Sequence, residues 1–115
     1  MAAPIGPYTP AVRAGDFIIV SGQLGILDGA LVEGVQEQTR QAVANLADRL
    51  AEHGATLADV AKTMCFLTDM GTFGEFNEAY VSAFGDVRPA RSTIGVAALP
   101  FNGQVEIEAW AYAPR

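Results

Sequence analysis

The chain has 115 residues, half of them hydrophobic and 17% charged, which predicts one folded domain over residues 1–115 and excludes a disordered chain. The net charge is −6 and the basic residues are scattered, so no nucleic-acid partner is expected. The lone cysteine, Cys65, excludes an intramolecular disulfide, and no apolar run reaches the about 20 residues of a membrane-spanning helix. A cytoplasmic protein with no membrane partner is the expectation. One histidine and one cysteine provide no ligand pair, so no metal site is predicted.

The first half of the chain predicts a hairpin followed by a long helix. Residues 12–23 have the pattern of two strands around a turn at residues 14–16. The run at residues 17–20 is apolar on both faces, which is typical of a strand inside a sheet that is covered on both sides. At residues 35–53, apolar side chains recur at three- and four-residue spacing, which predicts an amphipathic helix that Gly54 ends.

The second half predicts a strand, a helix and two further strands. The strands are expected at residues 60–68, 91–97 and 105–112. A capping box formed by Thr72 and Glu75 is expected to start the helix between the first two of them. That helix is expected to bury four aromatic residues at helical spacing, namely Phe73, Phe76, Tyr80 and Phe84. The resulting order is β-β-α-β-α-β-β, which predicts an α+β fold, an α/β sandwich with both helices on one face of a mixed sheet.

The last strand has two unlike faces. Small or aliphatic side chains fill one face, at Val105, Ile107, Ala109 and Ala111. Carboxylates and large aromatic rings fill the other, at Glu106, Glu108, Trp110 and Tyr112. The first set suits packing beneath helices, whereas the second suits a partly buried contact better than open water. The pattern therefore predicts self-association.

Arg91 is the first candidate for chemistry. It follows Pro89, whose fixed φ holds the backbone, at the start of a predicted strand. The planar guanidinium matches a carboxylate with two parallel hydrogen bonds. On spacing alone, the favoured interpretation is an exposed arginine paired with Asp86 or Glu108.

Two carboxylates and three residues near the N-terminus are further candidates. Glu106 and Glu108 share a strand face, so their repulsion and partial burial would raise one pKa towards that of a general base; a solvated polar face is the alternative. Tyr8 offers a phenol to a ligand or fills the edge of the core. Ser21 and Gly22 end a strand, where the glycine lets a ligand approach the backbone, although the same pair is common at simple strand ends.

Together these segments resemble the RidA/YjgF family of imine and enamine deaminases over nearly the whole chain. The stretches that carry the resemblance are Ile5-Gly6-Pro7-Tyr8, Phe17–Gln23, Glu37–Gln41, Phe66–Met70, Asn77–Tyr80, Pro89–Thr93 and Val105–Ala109. The Pro-Ala-Arg-Ser run and the Glu-Ile-Glu-Ala strand are specific as a pair, whereas either one alone is weak.

The resemblance implies a chorismate-mutase-like homotrimer with three ligand clefts at the subunit interfaces. Arg91 matches the arginine that binds the substrate carboxylate, and Glu106 matches the acid that positions the attacking water. Other positions match residues that line the cleft: Tyr8, Ser21, Gly22, Asn77 and Thr93.

The implied activity is hydrolysis of reactive 2-imino acids, formed by pyridoxal-phosphate enzymes, to 2-oxo acids and ammonia. The substrate is already reactive, so positioning and modest acid–base help suffice and no cofactor is expected. Two alternatives remain open. One is a deaminase or hydrolase dedicated to a single catabolic enamine, and the other is a non-catalytic trimer that binds small ligands or acts as a chaperone.

Overall fold

The structure, a computed structural model, describes residues 6–115, so Ile5 of the opening motif lies outside the described residues. Its elements are β1 (Ala11–Ala14), β2 (Phe17–Leu24), β3 (Ile26–Leu27), β4 (Ala30–Leu31), α1 (Val35–Ala51), β5 (Val60–Leu67), α2 (Phe73–Phe84), β6 (Ala90–Gly95) and β7 (Val105–Tyr112). Five strands form one sheet in the order β1-β2-β7-β5-β6, in which only β5 and β6 run parallel. The predicted α+β fold with a mixed sheet is confirmed. The short antiparallel hairpin of β3 and β4 lies between β2 and α1 along the chain.

The two helices pack against each other and against one face of the sheet. In α1 the apolar stripe is buried completely at Leu46 and Leu50, as the helical spacing predicts. The helix ends at Ala51, two residues before the predicted end, and Gly54 then takes a φ of 77°. The left-handed backbone conformation has little energetic cost for glycine, so Gly54 can adopt it and turn the chain back towards β5.

The start of α2 differs from the prediction. The Thr72 hydroxyl donates to the carbonyl of Asp69 at 2.6 Å and makes no capping bond to the helix, so the predicted capping box is wrong. Instead the Asp69 carboxylate accepts from the Gly71 N–H at 2.8 Å and stabilises the turn before the helix. Phe73, expected in the core, is 37% exposed at the first turn of α2.

The sheet has one covered face and one open face. The covered face carries the core beneath the helices, including Ile18, Cys65 and Ile107, each with no exposed surface. Burial raises the pKa of the Cys65 thiol to about 11. The open face is formed by Val12, Phe17, Ile19, Lys62, Met64, Phe66, Ser92, Ile94, Glu106, Glu108, Trp110 and Tyr112.

The open face is rich in apolar side chains that no part of the described chain covers. Trp110 is 48% exposed, Tyr112 51% and Ile94 45%. Strand β2 therefore has only one covered side within a single copy, although its sequence is apolar on both. A contiguous exposed apolar surface of this kind is typical of an interface.

Candidate functional site

Arg91 lies on β6 and points to the covered face of the sheet. It pairs with Thr63 of β5, whose side chain is fully buried, and residues paired across neighbouring strands point to the same face. The guanidinium carbon lies 4.8 Å from the centroid of the Tyr80 ring and 5.5 Å from those of Phe73 and Phe76. A cation over aromatic faces is attracted by their quadrupoles, so these rings hold the guanidinium in place.

The rings around Arg91 are themselves fixed by the core. Phe76 is fully buried, and the Tyr80 hydroxyl shares a 2.8 Å hydrogen bond with the Thr63 hydroxyl. The sequence pattern predicted these aromatic residues in the core but gave no indication of their contact with Arg91. Their spacing of three and four residues on α2 was the available signal, because it places all three rings on one helix face.

Arg91 forms no ion pair within residues 6–115. The alternative interpretation, an exposed arginine paired with Asp86 or Glu108, is therefore wrong. Glu108 points to the open face, whereas Arg91 is half-buried on the covered face. The guanidinium keeps its hydrogen-bond donors available for an anion.

Two buried polar atoms near this arginine have no strong hydrogen-bond partner. Asn77 Oδ1 and Thr93 Oγ1 are both inaccessible to solvent; Asn77 Oδ1 is unbonded within the described chain, and Thr93 Oγ1 has only the weakly bonding thiol of Cys65 beside it. Thr93 is two residues after Arg91 on β6, so it shares the covered face, where it lies against Cys65. Asn77 lies between the ring positions on α2. Because buried polar groups are nearly always hydrogen-bonded, these two atoms indicate an incomplete binding site. We call Arg91, Asn77 and Thr93 the Arg91 group.

Glu106 lies on the open face, where it contacts the backbone of β2. Its pKa is raised, chiefly by burial and further by repulsion from Glu108. A Cβ on Gly22 would lie only 2.7 Å from the Glu106 side-chain carboxyl carbon. The pairing of β2 with β7 is irregular between Val20 and Gln23, and this irregularity brings Gly22 against the carboxylate. A side chain at position 22 would therefore displace the Glu106 carboxylate from this position.

Ser21 and Tyr8 lie next to Glu106 and Gly22. The Ser21 hydroxyl donates to the carbonyl of Thr9 at 3.0 Å, and its N–H donates to the carbonyl of Pro10 at 2.9 Å. These bonds hold the segment that carries Tyr8, whose side chain is 42% exposed. We call Tyr8, Ser21, Gly22 and Glu106 the Glu106 group.

The structure thus divides the predicted site residues between two groups on opposite sheet faces. Glu106 alternates with Val105 and Ile107, which are buried beneath the helices, so its side chain points away from them. Arg91 points towards the helices. A single copy does not bring Arg91 and Glu106 into one cleft.

A cleft of about 630 Å³ opens beside the Glu106 group. It lies between the end of β2, the β3–β4 hairpin and α1, and both Tyr8 and Gly22 line it. Within residues 6–115, no cluster of three or more histidine, cysteine or acidic residues could hold a metal ion. No helix in the same range is long and apolar enough to cross a membrane.

Comparisons with known proteins agree with the fold. The family model described as "Endoribonuclease L-PSP" matches residues 1–113. The mouse "2-iminobutanoate/2-iminopropanoate deaminase" is 45% identical over 112 residues, covering 95% of this chain and 83% of that protein.

Two solved structures show the same architecture. The crystal structure of RidA from Psychrobacter sp. PAMC 21119 superposes with a TM-score of 0.92 at 38% identity, covering 96% of this chain and 91% of that one. That of Escherichia coli TdcF with bound serine has a TM-score of 0.90 at 33% identity, covering 95% and 90%. Sequence, family model and fold agree along almost the entire length. The chain belongs to the RidA/YjgF family.

Proposed function

We propose that this chain hydrolyses 2-imino acids and their enamine forms, the products of pyridoxal-phosphate enzymes, to 2-oxo acids and ammonia. The observation that carries the proposal is the environment of Arg91. Its guanidinium is held by three aromatic rings, has no ion pair within the described residues, and has the buried side-chain oxygens of Asn77 and Thr93 nearby. A planar cation held without a carboxylate partner is suited to binding a substrate carboxylate.

The reaction needs a carboxylate anchor and an acid–base group within reach of the imine carbon. Arg91 would bind the carboxylate, which fixes the neighbouring C=N carbon in position. Glu106 would accept a proton from water as the water oxygen bonds to that carbon and would pass it to the imine nitrogen, giving a tetrahedral amino alcohol. Transfer of the hydroxyl proton through Glu106 to the amino nitrogen then lets the C–N bond break as the C=O bond forms, which releases ammonia and leaves the 2-oxo acid. The raised pKa of Glu106 suits a group that both accepts and returns a proton.

We further propose that the working form is a homotrimer with its clefts between copies. Arg91 and Glu106 lie on opposite faces of one sheet, so they can meet only if they come from different copies. The apolar open face provides the surface for such an assembly. Each cleft would combine the Arg91 group of one copy with the Glu106 group of the next.

The relatives support this substrate class. The mouse relative is named as a deaminase of two short 2-imino acids. The TdcF structure contains serine, which has a carboxylate next to a nitrogen-bearing carbon, as a 2-imino acid does. A ribonuclease activity, which the family description mentions, is disfavoured by the net charge of −6. The cytoplasmic location stays a prediction, since some relatives are named as chloroplastic or mitochondrial.

The test is to generate 2-iminobutyrate or 2-aminoacrylate in situ and to follow its decay. Wild-type protein should accelerate the decay, and Arg91→Ala should reduce kcat/KM by about 10³-fold, because a charge-assisted contact to the carboxylate is lost. Light scattering should show a trimer. Decay at the buffer rate with wild-type protein would refute the deaminase and favour a ligand-binding or chaperone trimer. Activity on one catabolic enamine alone would favour the dedicated enzyme.

A further inference from the structure

The cleft beside the Glu106 group has an apolar wall that the reaction chemistry does not use. Three large hydrophobic side chains around it are well exposed: Tyr8 at 42%, Leu27 at 50% and Phe101 at 60%. Its volume of about 630 Å³ lies within the range of about 300–1,000 Å³ that small-molecule pockets occupy. A methyl or ethyl substituent would leave most of this space empty.

Phe101 is held at the cleft by an unusual backbone conformation. It has φ 58° and ψ 19°, and the next residue, Asn102, also has a positive φ of 60°. Two successive non-glycine residues in the left-handed region are rare, and such positions cluster at binding sites. Gly103 follows this turn and packs closely against Leu24: a Cβ at position 103 would lie 3.1 Å from a methyl carbon of Leu24. The most exposed large hydrophobic side chain of the described residues is thus presented by a fixed turn.

The opposite wall, on α1, offers few free hydrogen-bonding groups. The Asn45 amide donates to the carbonyls of Leu24 and Ile26 at 2.9 and 3.0 Å, and its oxygen accepts from Gln41 at 2.9 Å. Arg49 forms an ion pair with Glu52 at 3.5 Å. The lining carboxylates of Asp28 and Asp48 form no ion pair among the described residues. The other polar groups of this wall already have partners, so the part of the cleft near Leu27 and Phe101 suits an apolar occupant better than a hydrogen-bonding one.

The cleft is continuous with the Glu106 group through Gly22. Gly22 lines the cleft, and the Glu106 carboxylate lies directly against it. A substrate whose reacting carbon is near Glu106 therefore has its side chain beside the cleft. We propose that this cleft is the side-chain pocket of the enzyme and that Phe101 and Leu27 select 2-imino acids with branched or aromatic side chains. This inference rests on the proposed function for the identity of the reacting group.

Binding of stable 2-oxo acids tests the pocket without requiring catalysis. Calorimetry would compare pyruvate with 4-methyl-2-oxopentanoate and phenylpyruvate. Wild-type protein should bind the two larger acids at least about tenfold more tightly, because each buried methylene in an apolar pocket is worth about 10-fold or more. Phe101→Ala should reduce that preference by about tenfold and leave the Kd of pyruvate unchanged. Leu27→Ala should act in the same direction, and Phe101→Leu, which retains apolar bulk, should keep most of the preference.

The same variants separate this inference from the deaminase. The wild-type protein could fail to accelerate imine decay and still bind the larger acids preferentially, with that preference lost in Phe101→Ala. This result would support the pocket and refute the deaminase. An unchanged preference in folded Phe101→Ala and Leu27→Ala would overturn the pocket, whatever the activity. Tightest binding of a 2-oxo acid with a basic side chain would also overturn it, because it would show that Asp28 and Asp48 at the cleft dominate selection.

Discussion

Arg91 and Glu106 lie on strands of one sheet, yet their surroundings are built in opposite ways. Arg91 is a cation held by aromatic rings from α2, and all three rings belong to the same copy as the arginine. Glu106 is a carboxylate on an apolar open face, and its position depends on a missing side chain at Gly22. The contrast shows that the fold positions Arg91 and Glu106 independently of each other. Under the proposed function, association of two copies would then bring them into one cleft.

The largest expected effect comes from mixing two inactive variants. Arg91→Ala and Glu106→Gln should each be nearly inactive as pure assemblies. In randomly mixed trimers, a cleft works when Arg91 comes from a Glu106→Gln copy and Glu106 from an Arg91→Ala copy, so about a quarter of the clefts should be active. Steady-state assays on co-refolded protein would measure this restoration. No gain over the parent variants would show that both residues serve one cleft from the same copy.

A smaller effect is expected from Gly22→Ala. The new Cβ would meet the flexible end of Glu106, so the carboxylate should swing away at little cost in stability. A displacement of about 1 Å in a reacting group costs about 10²-fold in rate, so kcat should fall by about that factor.

Gly74→Ala is the matched control for this substitution. Its Cβ would enter open space on α2, so activity should be retained and stability should rise by about 0.5–1 kcal/mol. Thermal unfolding and kcat together separate the two outcomes. Wild-type kcat in Gly22→Ala would contradict the assigned role of Glu106.

The smallest expected effect is on the pH dependence of stability. The folded protein raises the pKa of Glu106, so it holds that proton more tightly than the unfolded chain does. The resulting stabilisation is present below the unfolded pKa of about 4.3 and is lost as pH rises through the folded pKa. Glu106→Gln should therefore be more stable than wild type at pH 7, and the difference should shrink towards pH 4. A less stable variant at pH 7 would show that a neighbouring copy supplies a favourable charge to Glu106.

Local periodicity in the sequence was sufficient for the elements but not for their contacts. The last strand was predicted at residues 105–112, where the structure has it, because strict alternation fixes both the strand and its faces. The start of α2 was predicted wrongly, because Thr72 bonds to Asp69, an alternative that the capping pattern does not reveal. A side chain at the start of a helix can form several alternative hydrogen bonds to nearby backbone groups, and the sequence alone does not show which one forms.

The sequence supplied candidate site residues, whose roles stay predictions, but it did not supply their geometry. The resemblance identified Arg91 and Glu106, and alternation on β7 placed Glu106 opposite the core. The aromatic rings around Arg91 depend on how α2 packs over β6, which is a tertiary contact that spacing along the chain does not encode. The separation of Arg91 from Glu106 likewise requires the strand order, which no local pattern gives.

The buried thiol of Cys65 has a consequence for following the molecule in solution. With no exposed surface and a pKa near 11, the thiol is both shielded and protonated at neutral pH. It is the chain's one cysteine, so a thiol-reactive dye finds no competing target. The rate at which Cys65 is labelled therefore reports how often the helices separate from the sheet. From that rate, the free energy of this opening can be obtained at one defined position in the core.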